Sequence, residues 1–442
     1  FETSRSVDYE TWNGVAPQDQ VEISHPLPTD VSGDFVLSIA VDPDDLIRET
    51  NEANNSLPNR HIPEEPTYSV EAPSVVRPVR VADPAETSAP VRWMAADPKT
   101  GRIYVASEEG RIRSIEPAAG DRMEPIASLD GPVVDVEWSF GAAAYAYIAT
   151  TAANAGSFAR LNLASGEMTE ETSFGAPIVA LAAGGSGRLY VAVADGFHQL
   201  VPSGSGYATS RLVEVPGDVE DILYDGARAL IYVRSSRGIY AYGSDLTRAC
   251  ALDADVLAGT PSALALAGTA IYVGTDANGR GAVHAASHCS AVSGGEGRIL
   301  VGWRFPRAID GALPGSITSV LIDPRDIDPI YVTTDAGTLY SLTFDGVAQW
   351  EFAAGAPIRS TPLADKRTGR IFFGDEAGIP YVLTLAGVPA FEIDVTGYDA
   401  GPIRSTLVML ETRETTEFGT RLVRNYYYGT EDGTVYKIAS EQ

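Results

Sequence analysis

An all-β fold, an eight-bladed β-propeller preceded by a partial β-sandwich-like module, is predicted by three observations in the 442-residue sequence. Short β-runs recur with a period of about 43 residues, two independent registers of those runs agree, and a sustained 3.6-residue hydrophobic pattern is almost absent. A chain of this length also exceeds what one hydrophobic core usually serves, which implies two or three ordinary domains or one large repeated architecture.

The first runs follow a turn that is small or contains proline. Their middle residues are Val91, Val133, Ile178, Val219, Ser262, Ile317, Ile358 and Ile403, at steps of 42, 45, 41, 43, 55, 41 and 45. The second runs carry an aromatic centre at Tyr104, Tyr147, Tyr190, Tyr232, Tyr272, Tyr331, Phe372 and Tyr427, at steps of 43, 43, 42, 40, 59, 41 and 55. Third runs open after glycine, as in Gly337-Thr338-Leu339-Tyr340-Ser341-Leu342, because glycine enters the positive-φ conformations of tight hairpins. The last unit ends at Thr434-Val435-Tyr436-Lys437-Ile438 with almost nothing left for an outer strand. Residues 74–81 are the predicted substitute: pairing there closes a ring and removes two sheet edges, with Pro78 restricting the segment to an outer position.

Ahead of the repeats, residues 1–60 read as a separate β module and 61–73 as a linker rich in proline and glutamate, leaving 74–442 for the propeller. Ser32 to Asp42 reads as a strand ending in the turn Asp42-Pro43-Asp44-Asp45, a solvated turn in preference to a calcium loop. From Gly33 to Asn55 the chain resembles the closing hairpin of CARDB-type adhesion modules and the carboxyl-terminal edge of lysyl oxidase domains. That resemblance implies an immunoglobulin-like module, or the end of a larger amine oxidase whose catalytic part precedes Phe1.

The segment 344–387, together with Ser186–Leu200 and the terminal Tyr426–Ile438, resembles repeats of the PQQ-type, quinoprotein-like β-propeller family. The resemblance covers roughly 75–442. For the dehydrogenases of that family it implies a calcium-bound quinone, a catalytic aspartate and a disulfide between adjacent cysteines. This chain has no adjacent cysteines and no C-x-x-C-H haem motif, and non-enzymatic assembly scaffolds use similar repeats. No cofactor and no metal site is therefore expected.

Cys250 and Cys289 flank the strands of the fifth repeat, and the long step from 262 to 317 places extra residues near Cys289. The pair reads as a structural disulfide tying down that insertion, with two separate thiols as the alternative. Arg92, Arg359 and Arg404 occupy equivalent positions in units one, seven and eight, which become neighbours if the ring closes. They are the candidate anion-binding residues, since guanidinium forks suit carboxylate and phosphate; the competing expectation is that they pair with internal acids. His198 and His284 are read as structural residues near repeat turns, and Trp93, Trp138, Trp303 and Trp350 as braces between blades.

Lys plus Arg is 32 against 59 Asp plus Glu, a net charge of −27 that repels nucleic acid and anionic bilayers. No window approaches 18 uninterrupted apolar residues, so no transmembrane helix is expected. The expected function is a non-catalytic scaffold, secreted, periplasmic or at the cell surface, that binds an envelope or surface protein or polymer within a larger assembly. A quinone-dependent oxidoreductase and the carboxyl-terminal part of an amine oxidase are the alternatives.

Overall fold

The computed structural model describes 36–37, 60–61, 75–81 and, apart from short gaps, 89–441. The chain divides into two units, Phe1–Ala72 and Pro73–Gln442. Within the first, Val36–Leu37 pairs antiparallel with Arg60–His61. The remaining readings made for the amino-terminal module and linker fall outside the described residues.

The second unit is a propeller of eight blades. Blade 1 shows the common plan: Val91–Ala96, Ile103–Ser107, Arg111–Glu116 and Arg122–Ser128 pair in sequence order as an antiparallel meander, the first strand innermost. The first strands of the following blades are Val133–Phe140, Ile178–Ala183, Val219–Asp225, Thr260–Leu266, Ile317–Asp323, Leu363–Asp365 and Val408–Thr416. In blades 1 to 6 one residue near the start of this strand is bulged out of the ladder, at Arg92, Val134, Val179, Glu220, Ser262 and Thr318. A bulge re-aims its side chain away from the sheet.

The core lies between blades. The aromatic centre of each second strand packs toward the next blade, so Tyr232 joins the blade 5 residues Ile271 and Val273, and Phe372 joins Ile403 and Tyr426 of blade 8. Backbone bonds repeat the same step. The N–H of Val133 donates to Glu108 O at 2.8 Å, Ile403 N–H to Asp375 O at 3.0 Å and, across the seam, Val91 N–H to Thr430 O at 3.1 Å. Outer strands are braced as well: Trp303 Nε1 donates to Phe344 O and Trp350 Nε1 to Leu385 O, both at 2.9 Å and both in the following blade.

Closure uses the predicted segment and goes further. Val79–Arg80 pairs antiparallel with the terminal strand Val435–Glu441 as the outer strand of blade 8, while Val75–Val76 pairs parallel with Glu392–Ile393 beside blade 7. One strap thus covers two neighbouring edges. Pro78 falls at the crossing between them, where its missing N–H costs no ladder bond.

The insertion after the third strand of blade 5 does not stay with that blade. Its strands Ser290–Val292 and Gly295–Arg298 extend blade 4, which becomes six-stranded, by parallel pairing of Cys250 with Gly297 and Ala251 with Arg298. Cys250 and Cys289 are disulfide-bonded over a separation of 39 residues. Closing a loop of that length contributes about 3–4 kcal/mol in the chain-entropy account.

Candidate interaction face at the channel mouth

Each first run enters from the face of the ring that also carries the turns between second and third strands. In blades 7 and 8 the entry reads Ile-Arg-Ser-Thr, and a serine hydroxyl fixes it. Ser360 Oγ accepts from Gly374 N–H at 3.0 Å and donates to Gly374 O at 2.8 Å, while Ser405 Oγ accepts from Gly429 N–H at 2.9 Å. The preceding arginine is thereby held at the position of the bulged Arg92.

Arg92, Arg359 and Arg404 therefore come together at one mouth, and they do so within a chain of carboxylates. Arg92 donates through Nε to Glu108 at 2.6 Å and through a second nitrogen to Glu431. Arg404 makes a two-pronged contact with Glu376, Nε to Oε1 at 2.6 Å, and lies 3.6 Å from Glu431. Arg359 differs: it is 4.0 Å from both Asp335 and Glu376, with its side chain 49% exposed. Alternation runs Asp335, Arg359, Glu376, Arg404, Glu431, Arg92, Glu108 across blades 6, 7, 8 and 1.

Those four acids were not singled out from the sequence, although a signal was present. Each stands four residues beyond the aromatic centre of its second run, at Tyr104, Tyr331, Phe372 and Tyr427. Glu220, the residue of blade 4 equivalent to the arginines, is paired with Arg234.

A second group lines the inner strands of blades 2 to 4. The innermost strand of a blade has one edge without a partner strand, and its outward N–H groups need acceptors. Asp135 Oδ2 accepts from Leu181 N–H of blade 3 at 2.7 Å, and Glu137, two residues on, takes the N–H of Ala183. Desolvation pushes Asp135 up to about 6 and Glu137 up to about 7; the amide bonds pull back, while Asp221 of blade 4 adds repulsion to both. Asp221 is itself raised by burial, offset by Arg234.

The folded chain thus holds more protons than the unfolded chain between the ordinary carboxyl values, 3.8 for Asp135 and 4.5 for Glu137, and about pH 7. Their stabilising contribution is complete below that window and is lost as the pH rises through it. Glu137→Gln keeps an acceptor oxygen without the charge. Its melting temperature is expected to match the parent near pH 4 and to exceed it increasingly toward pH 8; a constant difference across that range contradicts the assignment.

The histidines lie within strands, His198 three residues beyond the turn at Ala194–Asp195. His198 is in Gly196–Ser203, with Nδ1 bonded to Ser210 O at 3.1 Å, and His284 is in Arg280–Ser287 at 3% exposure. Burial, with Arg304 nearby, lowers His284 to about 4 and keeps it neutral. His288 is lowered by burial as well and bridges Tyr232 Oη at 3.1 Å and Ala267 O at 2.6 Å.

Among the described residues no three His, Cys, Asp or Glu side chains are grouped to hold a metal, and Asp135 and Glu137 are engaged with backbone N–H groups. The disulfide lies at the outer edge of blade 4 and joins residues far apart in sequence.

No protein-family model matches the chain, and no curated protein sequence matches it. Among solved structures it is similar to Sqt1 of Saccharomyces cerevisiae, with a TM-score of 0.60 and 11% identity over 84% of this chain and 99% of that one. It is also similar to the Dos1 propeller, with a TM-score of 0.56 and 13% identity over 83% and 94%, and to the computationally designed Ika8 protein, at 0.57 and 11% over 81% and 98%. At such identities the likeness is one of fold. Among the described residues no helix is long and apolar enough to cross a membrane.

Proposed function

We propose that the protein is a non-catalytic interaction scaffold whose ring docks a protein partner at the mouth formed by blades 6, 7, 8 and 1. The observation that carries this reading is Arg359. Arg92 and Arg404 have close carboxylate partners, whereas Arg359 is half exposed and reaches its two acids only at 4.0 Å. A partner carboxylate meets there a guanidinium that is poorly matched internally, next to acids that receive the partner's cations, and such patterns set register and on-rate more than affinity. A rigid ring of repeated sheets with many exposed loops suits a scaffold of that kind.

The disulfide supports an oxidising compartment, and with it a secreted, periplasmic or cell-surface setting and an envelope or surface partner. The reading is tested by titrating an acidic peptide, oligoglutamate, against the protein and its Arg359→Ala/Arg404→Ala variant after both are shown to fold. Affinity is expected to fall as salt rises and to drop about tenfold in the variant, the effect of losing about 1.4 kcal/mol. Equal affinity rejects the mouth as the docking site.

A further inference from the structure

Blade 4 carries a second cationic feature, far in sequence from the mouth arginines and built by the disulfide-anchored insertion. The ladder sets Tyr240 opposite Ala251, and Ala251 opposite Arg298, so the three share one face of the sheet. A bulge between Cys250 and Arg248 pairs Arg248 with Tyr242 and returns it to that same face. The face looks toward blade 3, where Tyr242 packs edge-on against Phe197 with ring centroids 5.1 Å apart.

A cleft of about 770 Å³ opens there, with Pro216 and the turn at Ser236 completing its wall. Among the described residues that line it, Arg237, Arg248 and Arg298 are exposed and the acids are Asp253 and Asp255. Among the described residues, Arg237 and Arg298 have no salt bridge within 4.0 Å. In a chain of net charge −27, three guanidiniums facing one cleft are a local reversal of sign that the sheet register imposes. Arg248 is already engaged, so an anion in the cleft bridges the forks of Arg237 and Arg298, with Arg248 beside them.

We propose that this cleft binds a compact multivalent oxyanion, a polycarboxylate or a phosphate, through Arg237, Arg248 and Arg298. Its volume lies in the range of sites for small ligands, on the order of 300–1,000 Å³. The site is independent of the channel mouth, and either proposal stands if the other fails.

Calorimetric titrations with citrate and with pyrophosphate test it on the full chain. At least one anion is expected to bind, the stronger arm identifying carboxylate or phosphate chemistry. Arg237→Gln/Arg298→Gln is expected to weaken it at least tenfold, and Arg359→Ala/Arg404→Ala by less than twofold. Phenylglyoxal labelling of the parent protein, read by mass spectrometry, supplies a measurement that needs no variant: the bound anion is expected to protect Arg298 and Arg237. Absence of binding by both anions, equal affinity in Arg237→Gln/Arg298→Gln, or labelling unchanged by either anion overturns the proposal.

Discussion

Deletion of residues 73–81 is expected to produce the largest loss of stability of any change discussed for this protein. The strap is the outer strand of blade 8 and pairs beside blade 7, and it buries Val81 at 4% exposure with its N–H on Val435 O at 2.8 Å. Arg77 Nε also donates to Asp394 at 2.6 Å. Losing a buried aliphatic side chain together with a stretch of ladder is worth at least about 3 kcal/mol. Hydrogen exchange should show where the loss falls: amides of Val435–Glu441 are expected to exchange first, ahead of blades 3 to 5. A deletion variant with unchanged denaturant midpoint and uniform protection would mean that the strap is incidental to closure.

The second large effect is expected at the interface of blades 7 and 8. Gly374 ends the second strand of blade 7, and a Cβ added there would lie 2.5 Å from Ile403 Cγ2 and 2.6 Å from its Cβ. Ile403 is fully buried and opens blade 8, so neither side yields cheaply. Gly374→Ala is expected to cost about 1–3 kcal/mol by overpacking, with Gly374→Val costing more. Combining Gly374→Ala with Ile403→Ala should cost less than the sum of the two single changes, because removing Ile403 Cγ2 and Cδ1 frees most of the space the added methyl needs. Denaturant melts of the three variants decide this, and a Gly374→Ala midpoint equal to the parent's would contradict the close approach.

Gly374 also shows why the ring was legible in the sequence. Its counterpart Gly429 meets Val91 across the seam, where an added Cβ would lie 2.2 Å from Val91 Cγ1, so the same small-against-branched contact joins the last blade to the first. A repeat that buries its faces only on its neighbours must state the same pattern in every unit; the second-run register holds throughout, while the first-run register is displaced by one residue in blade 5, where Pro261 and not Ser262 takes the place of Val91. Arg92, Arg359 and Arg404 were placed together by that logic alone. What they touch depends on turn acids four residues beyond the aromatic centres, a spacing present in the sequence whose consequence follows only once the turns bring those acids to the same mouth.

The course of the insertion was hidden for a different reason. Ser290–Val292 and Gly295–Arg298 lie between strands of blade 5 yet add to blade 4, a pairing with no local pattern to announce it. The cysteine pair marked the two ends of the contact without its parallel register, and the cleft lined by Arg298 follows from that register. Asp135, Glu137 and Asp221 were passed over because acids inside a first run look like ordinary solvated alternation; the unpaired inner edge of the neighbouring blade is what gives Asp135 and Glu137 a task.

Site-resolved cross-linking tests the scaffold account most directly. The protein is isolated from its native source under non-reducing conditions, treated with a dihydrazide and a carboxylate-activating coupling reagent, and mapped by mass spectrometry. Cross-links from Asp335, Glu376 and Glu431 to one other protein are expected, and they should be lost in the Arg359→Ala/Arg404→Ala variant. Links scattered evenly around the ring, or a partner whose links are unchanged in that variant, would contradict docking at this mouth.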